Sequence, residues 1–442
     1  MKILLVKCHK RTIFSRLEPI VTEPLELEYL AGLLDRLAVP YRVYDPLLED
    51  GSFEKVFNDY RPDVLVLSGY ITAVDTIISY SQYAKNRQHR IKVIVGGVHA
   101  AVNYEDFFVD TIDFIVHSDG VSSLEQLLKC SFQGEKAADI DGIAFFHQGK
   151  WQVNSKKSTS LENMPFPNRS YFEKYQSRTK YLGYSPIAII QTAISCPFKC
   201  NFCYCRMLNM GIYAARSIKS VVEEIEAIQG EYVWIVDDSF LLDRTRILQF
   251  IDEIERRGIA KKFIAYSRID FIANNPDIIS KLAGIGFVEL IVGMEAVDDT
   301  ILEGFNKEYT FNDSVKATDI LQTNNINLTA LFIAGIDFTR KDFKRLKDWI
   351  RKLGISCYTV SIFTPLKGTA IYQAYESQIK VKDYSKWDFL HLTIKPVHMN
   401  ALLFYFYFYL IFADQLIRSR QARSLIYQAL KNIVKPRRKN NE

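Results

Sequence analysis

The sequence predicts an α/β protein made of two successive strand–helix series and a helical C-terminal region. Three observations carry that expectation. Short β-rich runs alternate with amphipathic segments from Met1 to about Asp119, a second alternation begins at Ile187, and beyond about Lys380 the pattern turns helical. Strands separated by helices form parallel sheets, because a parallel return needs a crossover that a tight turn cannot supply.

The first series has strands at Lys2–Lys7, Tyr41–Asp45, Val64–Gly69, Val93–Gly97 and Phe114–His117. Between them, segments such as Leu25–Leu37 and Val74–Ala84 place apolar residues at three- and four-residue steps. This reads as a Rossmann-like doubly wound domain over residues 1–140. Gly142–Val153 reads as a hairpin turning at Gln148-Gly149, and Pro165, Pro167 and Pro186 mark a linker, so that hairpin and linker fill residues 141–184.

In the second series, residues 185–380, the strands are Ile187–Thr192, Tyr232–Asp237, Phe263–Ser267, Phe287–Gly293, Leu328–Ile333 and Tyr358–Phe363. Six units predict a partial (β/α)6 barrel, short of the eight that close a full one. The helices between run near Ile218–Gln229, Arg244–Arg257, Pro276–Leu282, Asn312–Thr323 and Lys341–Leu353. Ser220 and Glu223 have the spacing of a capping box, which would trim the first of these by a turn. Residues 381–442 hold the aromatic run Leu402–Phe412, then Arg418, Arg420 and Arg423, and a basic tail, Lys435-Pro436-Arg437-Arg438-Lys439, expected to be disordered.

Composition narrows the function classes. The 442 residues are 48% hydrophobic and 24% charged, an ordinary globular balance that excludes disorder for most of the length. Net charge is +5, with no stripe of basic and aromatic residues, so no nucleic-acid partner is expected. The longest unbroken apolar run is Ala401–Ala413, whereas a membrane span needs about 20 residues. It reads as a core helix, the lining of an apolar or peptidic substrate pocket, or a peripheral contact with a membrane surface. Met1–Lys7 is too short for a secretion signal. Of seven cysteines, four fall between positions 196 and 205, which favours a metal site over disulfides and a cytoplasmic setting.

Cys196-Pro-Phe-Lys-Cys200-Asn-Phe-Cys203 directly follows a predicted strand. Three thiolates this close can wrap one iron–sulfur cube and leave one iron open to nitrogen and oxygen donors. The alternative is a structural zinc with Cys205 as fourth ligand, although zinc sites usually pair two well-separated knuckles. Because ligands sit at the carboxyl ends of strands in such folds, the residues ending each strand are the other candidates.

The C-x3-C-x-aromatic-C spacing at the end of the first strand of a six-unit series resembles that of the radical S-adenosylmethionine (SAM) enzymes. Over about Met1–Lys395 the chain resembles the class with an N-terminal cobalamin-binding domain. The resemblance implies that Cys196, Cys200 and Cys203 ligate a [4Fe-4S] cluster whose fourth iron chelates SAM. It implies that Phe202 packs near the adenine, and that Asp237 or Asp238, in Val236-Asp237-Asp238-Ser239-Phe240, accepts from the SAM ammonium. The alternative for these two carboxylates is an N-cap. Arg268 would reach the SAM carboxylate or ribose, or else form a surface ion pair. Glu295, in Gly293-Met294-Glu295, would contact SAM or order the barrel mouth, and Gly335 would let backbone approach the adenine. Thr364-Pro-Leu-Lys-Gly-Thr369 matches a turn of the family.

Pro24-Leu25-Glu26-Leu27-Glu28-Tyr29-Leu30-Ala31 resembles the first helix opening of the class, with Glu26 where the family has glycine. Ser68 and Gly69, Gly96 and Gly97, and Asp119 and Gly120 end strands and would cradle the corrin ring and its nucleotide tail. Gly96-Gly97 alone also reads as an ordinary turn, and Asp119-Gly120-Val121-Ser122 is a reduced form of the family's Gly-Glu-Gly-Glu. With no Asp-x-His-x-x-Gly motif in the chain, cobalt would take no histidine from below. Only Cys8 and Cys130 lie in the N-terminal domain, too few for the second cluster of the related methylthiotransferases.

The implied activity is reductive cleavage of SAM to a 5′-deoxyadenosyl radical. Its use would be methylation of an unactivated carbon in a small-molecule, natural-product, lipid or peptide substrate, with a one-electron reductant such as flavodoxin or ferredoxin. A radical cyclase or oxidoreductase with the same cofactors, and a non-catalytic redox scaffold, are the alternatives. No catalytic acid or base is assigned.

Overall fold

The computed structural model describes residues 1–10, 18–162, 164–419 and 423; Arg420 and the tail Lys435–Lys439 lie outside these. The N-terminal sheet contains β1 (Ile3–Lys7), β2 (Tyr41–Tyr44), β3 (Val64–Ser68), β4 (Lys92–Gly96), β5 (Phe114–Val116), β6 (Ile143–His147) and β7 (Lys150–Val153). Their order is β2-β1-β3-β4-β5-β6-β7, with β1 to β5 parallel and the last two antiparallel.

Ile3, Leu4, Leu5 and Val6 are all buried because alternate side chains enter two different layers. Ile3 and Leu5 pack with Leu27 and Leu33 of α1 (Leu25–Arg36) and Leu124 of α5 (Gly120–Lys129). Leu4 and Val6 pack with Phe53 of α2 (Phe53–Tyr60) and Ile77 of α3 (Val74–Arg87). Between these helices in sequence stands α4 (Val98–Asn103).

One boundary expected from sequence is corrected. The hairpin is part of the N-terminal sheet rather than of the linker: Phe114 pairs with Phe145 and Val116 with Ile143, so the domain runs to Val153.

The second series forms β8 (Ile187–Ile190), β9 (Tyr232–Ile235), β10 (Lys262–Ser267), β11 (Phe287–Glu295), β12 (Asn327–Ala334) and β13 (Cys357–Ile362), parallel and in sequential order. Between them run α6 (Ile218–Ala227), α7 (Arg244–Arg257), α8 (Pro276–Gly284), α9 (Phe311–Thr323) and α10 (Arg340–Lys352). The cap of α6 is Ser217, whose side chain accepts from Ser220 N; the expected Ser220–Glu223 box does not form.

The lumen of this open barrel is filled by Ile187, Ile189, Trp234, Ile264 and Ile291, joined by Tyr181 and Tyr184 from the linker and by Leu25 and Tyr29 of α1. The first helix of one domain therefore completes the core of the other. A buried ionic joint reinforces this contact. Arg169 Nη1 lies 2.8 Å from Glu23 Oε1 and its Nη2 2.6 Å from Glu224 Oε1 on α6, while Glu28 accepts from Phe172 N. Arg216 holds the other oxygen of Glu224 at 2.5 Å.

The C-terminal region is carried by α11 (Ala401–Arg418). It packs Phe404, Phe408 and Ile411 against the barrel core, and Tyr358 on β13 donates to Ile411 O at 2.8 Å. Asp414 on the same face is paired with Arg351 of α10 and with Arg418.

Candidate functional site at the carboxyl edges of the two domains

The site begins where β8 ends. Thr192 and Ala193 are held by Asp237, whose Oδ1 accepts their backbone N–H groups at 2.6 and 3.0 Å and whose Oδ2 accepts from the Thr192 hydroxyl. Ala193 and Ile194 pair with Ala215 and Ala214, so the intervening residues are closed into a loop that carries all four clustered cysteines. Cross-ties fix its shape. Asn201 donates to Gly304 O at 2.7 Å, Asn306 donates to Lys199 O at 2.7 Å, and Ile371 N donates to Asn201 O.

Cys196, Cys200 and Cys203 are half-buried and unbridged. Burial pushes the Cys196 thiol up to about 11 and raises Cys200 as well, whereas a hydrogen bond from the Cys205 thiol lowers Cys203. Thiols desolvated in this way gain from bonding to iron, since a coordinating metal removes their protons outright. Positive charge is also at hand: the Arg268 guanidinium carbon lies over the Phe198 ring, 3.5 Å from its centroid, with Nη1 3.9 Å from Cys200 Sγ. Among the described residues no three His, Cys, Asp or Glu side chains converge on a single-ion position. Thiols spread along a pinned loop suit a multi-iron cluster better than one zinc, and Cys205 is spent on Cys203 and Asp238.

The other residues singled out in the barrel divide into two groups. Asp237 is buried, pushed up to about 6 by burial, and engaged with the backbone, so its role here is to shape the loop. Neither it nor Asp238 caps the next helix, whose cap is Asp243. Asp238 accepts from the Cys205 thiol and Ser195 N, and thus faces the cysteine loop. Arg268 forms an ion pair with Asp270 at 2.9 Å while facing the cysteines, and it is buried, so the pair is not the surface one that sequence allowed.

Glu295 has φ +55 and follows a break in the β11–β12 register between Gly293 and Glu295. That bulge folds its carboxylate back over Gly293, where any Cβ would collide with Glu295 Oε1. Phe202 meets Phe305 edge-on at 5.1 Å. A Cβ at Gly335 would strike Asp337 Oδ1 and the Phe338 ring, so this glycine serves local packing at the start of the loop into α10.

Sequence reasoning missed Lys307 and Tyr309. Lys307 Nζ pairs with Glu295 Oε1 at 2.9 Å and lies 5.5 Å from the centre of the Phe202 ring; Tyr309 donates to Gly293 O at 2.7 Å. Burial alone would lower the Lys307 pKa, but the Glu295 carboxylate outweighs it and the ammonium is retained. The only advance signal was an isolated lysine in a loop.

On the N-terminal domain, the strand order puts the crevice for a ligand between β1 and β3. Glu26 stands there, accepting from Ser68 Oγ at 2.9 Å and paired with Lys7, whose ammonium lies 5.0 Å from the centre of the exposed Tyr70 ring. Gly97 has φ +97, and a Cβ on it would approach Ser68 Oγ to 2.9 Å and Gly69 backbone to 3.0 Å, so the β3 and β4 loops can touch only at glycine. A Cβ at Gly96 would meet nothing closer than 3.9 Å, and one at Gly120 nothing within 4 Å. Asp119 caps α5, accepting from Val121 N and Ser122 N.

His117, at the end of β5, was passed over; its Nε2 is buried without a hydrogen-bond partner, and burial with Lys156 nearby lowers its pKa. An unspent polar atom at this edge fits a polar cofactor tail, and the glycine-walled loops fit close approach. This edge also faces the barrel mouth. Lys156 donates to Ala101 O on α4 and to Met207 O beside the cysteines, and Asn103 of α4 donates to Lys367 O in the Thr364–Thr369 turn at 3.1 Å.

A thiol-bearing loop at the mouth of a six-stranded open barrel, facing the ligand edge of a doubly wound sheet, defines a two-domain protein whose candidate cofactor sites face one another. The comparisons agree. The radical SAM superfamily pattern matches residues 190–350, and the B12 binding domain matches residues 19–128. Hopanoid C-3 methylase of Methylococcus capsulatus is 24% identical over 400 residues, covering 89% of this chain and 75% of its own. The anaerobic magnesium-protoporphyrin IX monomethyl ester cyclase of Cereibacter sphaeroides is 24% identical over 396 residues, 84% of this chain and 63% of its own. Among solved structures, the radical SAM methyltransferase TsrM from Kitasatospora setae, with cobalamin and a [4Fe-4S] cluster bound, shares the fold with a TM-score of 0.71 at 16% identity, over 90% of this chain and 83% of that one. The chain belongs to the cobalamin-binding radical SAM enzymes, whose cofactors are a [4Fe-4S] cluster, SAM and cobalamin.

Proposed function

We propose that the chain is a C-methyltransferase acting on an unactivated carbon of a natural-product, lipid or peptide substrate. The observation that carries this reading is the facing of the two ligand edges: Lys156 donates to Ala101 O on α4 and to Met207 O beside the cysteines, and Asn103 of α4 donates to Lys367 O in the turn after β13. When bound, the cluster, SAM and cobalamin together supply a hydrogen-abstracting radical and a methyl group. The chain supplies position, which accounts for most of a protein's share in such chemistry.

Cys196, Cys200 and Cys203 hold the cluster on a loop that Asp237 and Asn201 keep rigid. Arg268 offsets thiolate charge, and its guanidinium suits a carboxylate contact. Asp238 and Glu295, the latter held by Lys307, line the SAM side beside Phe202. Ser68, Gly69, Gly96 and Gly97 border the cobalamin side, with Asp119 and Gly120 shaping the β5 loop. The electron comes from a flavodoxin- or ferredoxin-class donor, and the reaction belongs in a reducing cytoplasm.

Anaerobic reconstitution with cluster and cobalamin tests the proposal. Methylation yields 5′-deoxyadenosine and S-adenosylhomocysteine together, with a product heavier by one CH2. Deoxyadenosine without homocysteine or mass gain supports the cyclase reading, which the relative from Cereibacter sphaeroides favours. A loaded protein that never cleaves SAM refutes both and leaves a redox scaffold.

A further inference from the structure

On a surface helix the outward side chains are ordinarily polar. In α11 every exposed position from 401 to 417 is alanine, leucine, isoleucine, phenylalanine or tyrosine. Leu402 is 83% exposed and Ile417 73%, with Phe406, Tyr409 and Leu410 between them in one stripe. The opposite face is committed to the barrel through Phe404, Phe408, Ile411 and the Asp414–Arg351 pair, so the helix lies along the barrel rather than upright across a bilayer. Exposed Val397 extends the apolar surface; its N–H bonds Ile336 O just past β12, so the stripe starts at the barrel mouth.

The charge pattern says what covers this face. Residues 420–442, directly after the helix, hold seven of the 56 basic residues and one of the 51 acidic ones, so the remaining 419 residues are close to neutral. An apolar helical face followed by a basic cluster is the combination that binds anionic lipid, apolar burial and headgroup attraction acting together. A second copy of this chain would bring the same positive charge against itself.

We propose that the outer face of α11 docks this protein on an anionic membrane surface, the barrel mouth lying at the bilayer. The proposal goes beyond the catalytic reading and its test does not depend on it. Full-length protein is sedimented with phosphatidylcholine vesicles, with and without phosphatidylglycerol. Binding at least tenfold stronger to the anionic vesicles is expected. F406E/L410E should lose at least tenfold, and R437E/R438E/K439E should lose the anionic preference. Unchanged melting and cluster reconstitution in both variants show that the fold is intact. Wild type left in the supernatant with both vesicles overturns the proposal, as does binding unchanged by F406E/L410E. A concentration-dependent dimer that the same pair abolishes would assign the face to a second copy and equally overturn it. Loss of SAM cleavage with vesicle binding intact would count against the catalytic reading alone.

Discussion

Replacing Arg169 by methionine tests how the two domains are held in register. The guanidinium is nearly buried between Glu23 and Glu28 from the N-terminal domain and Glu224 from the barrel, all three of them buried. Burial and the neighbouring Glu23 raise the Glu28 pKa well above its usual value, so Glu28 already resists ionisation. Removing one partner of such a set costs about 3–5 kcal/mol, because the charges left behind are neither solvated nor paired. A group whose folded pKa is raised contributes stability that is full below its unfolded pKa and is lost as pH rises through the folded one. The raised Glu28 acid therefore makes the deficit in the variant larger at pH 8 than at pH 5.5. Calorimetry at the two pH values measures it, and R169M/E23Q/E28Q, which removes the stranded charge, recovers most of the loss. A deficit below about 1 kcal/mol, or one equal at both pH values, would refute the account of the joint as an ionic hub.

Cys200→Ala removes one of the three thiols proposed to hold the cluster and is expected to abolish the broad visible sulfur-to-iron absorption after anaerobic reconstitution, with the far-ultraviolet circular dichroism unchanged. Gly97→Ala forces a Cβ against Ser68 and Gly69 at φ +97 and costs about 1–3 kcal/mol, read as a lower melting temperature and weaker cobalamin retention on gel filtration. Asp237→Asn leaves one of three donors from Thr192 and Ala193 without an acceptor and costs about 1–3 kcal/mol. In wild type the raised acid loses part of its stabilising effect as pH climbs through about 6, and the variant shows a flatter melting profile there.

The strand–helix alternation and the cysteine spacing were legible because both are local: side-chain period reports the element, and eight consecutive residues define the loop. What escaped depended on partners distant in sequence. The 143–153 hairpin was legible as a hairpin but not as part of the first domain, because its pairing with Phe114–Val116 leaves no mark within the hairpin itself. Ser217 rather than Ser220 starts α6 because Ala214 and Ala215 are pinned to residues 193–194 just before it. The pair Asp237-Asp238 stands out in sequence, but not that the oxygens of Asp237 go to Thr192 and Ala193, 45 and 44 residues earlier. Glu26 was visible as a departure from the family glycine, but not that Lys7 and Ser68 would absorb its charge. The segment 401–413 shows the limit most sharply. Periodicity identifies a buried face only when the opposite face is polar, and here Phe404, Phe408 and Ile411 point inward while Leu402, Phe406 and Leu410 point outward. With both faces apolar the sequence carries no contrast from which to tell core from surface. The packing of Tyr358 and Arg351 against one side of the helix supplies that contrast.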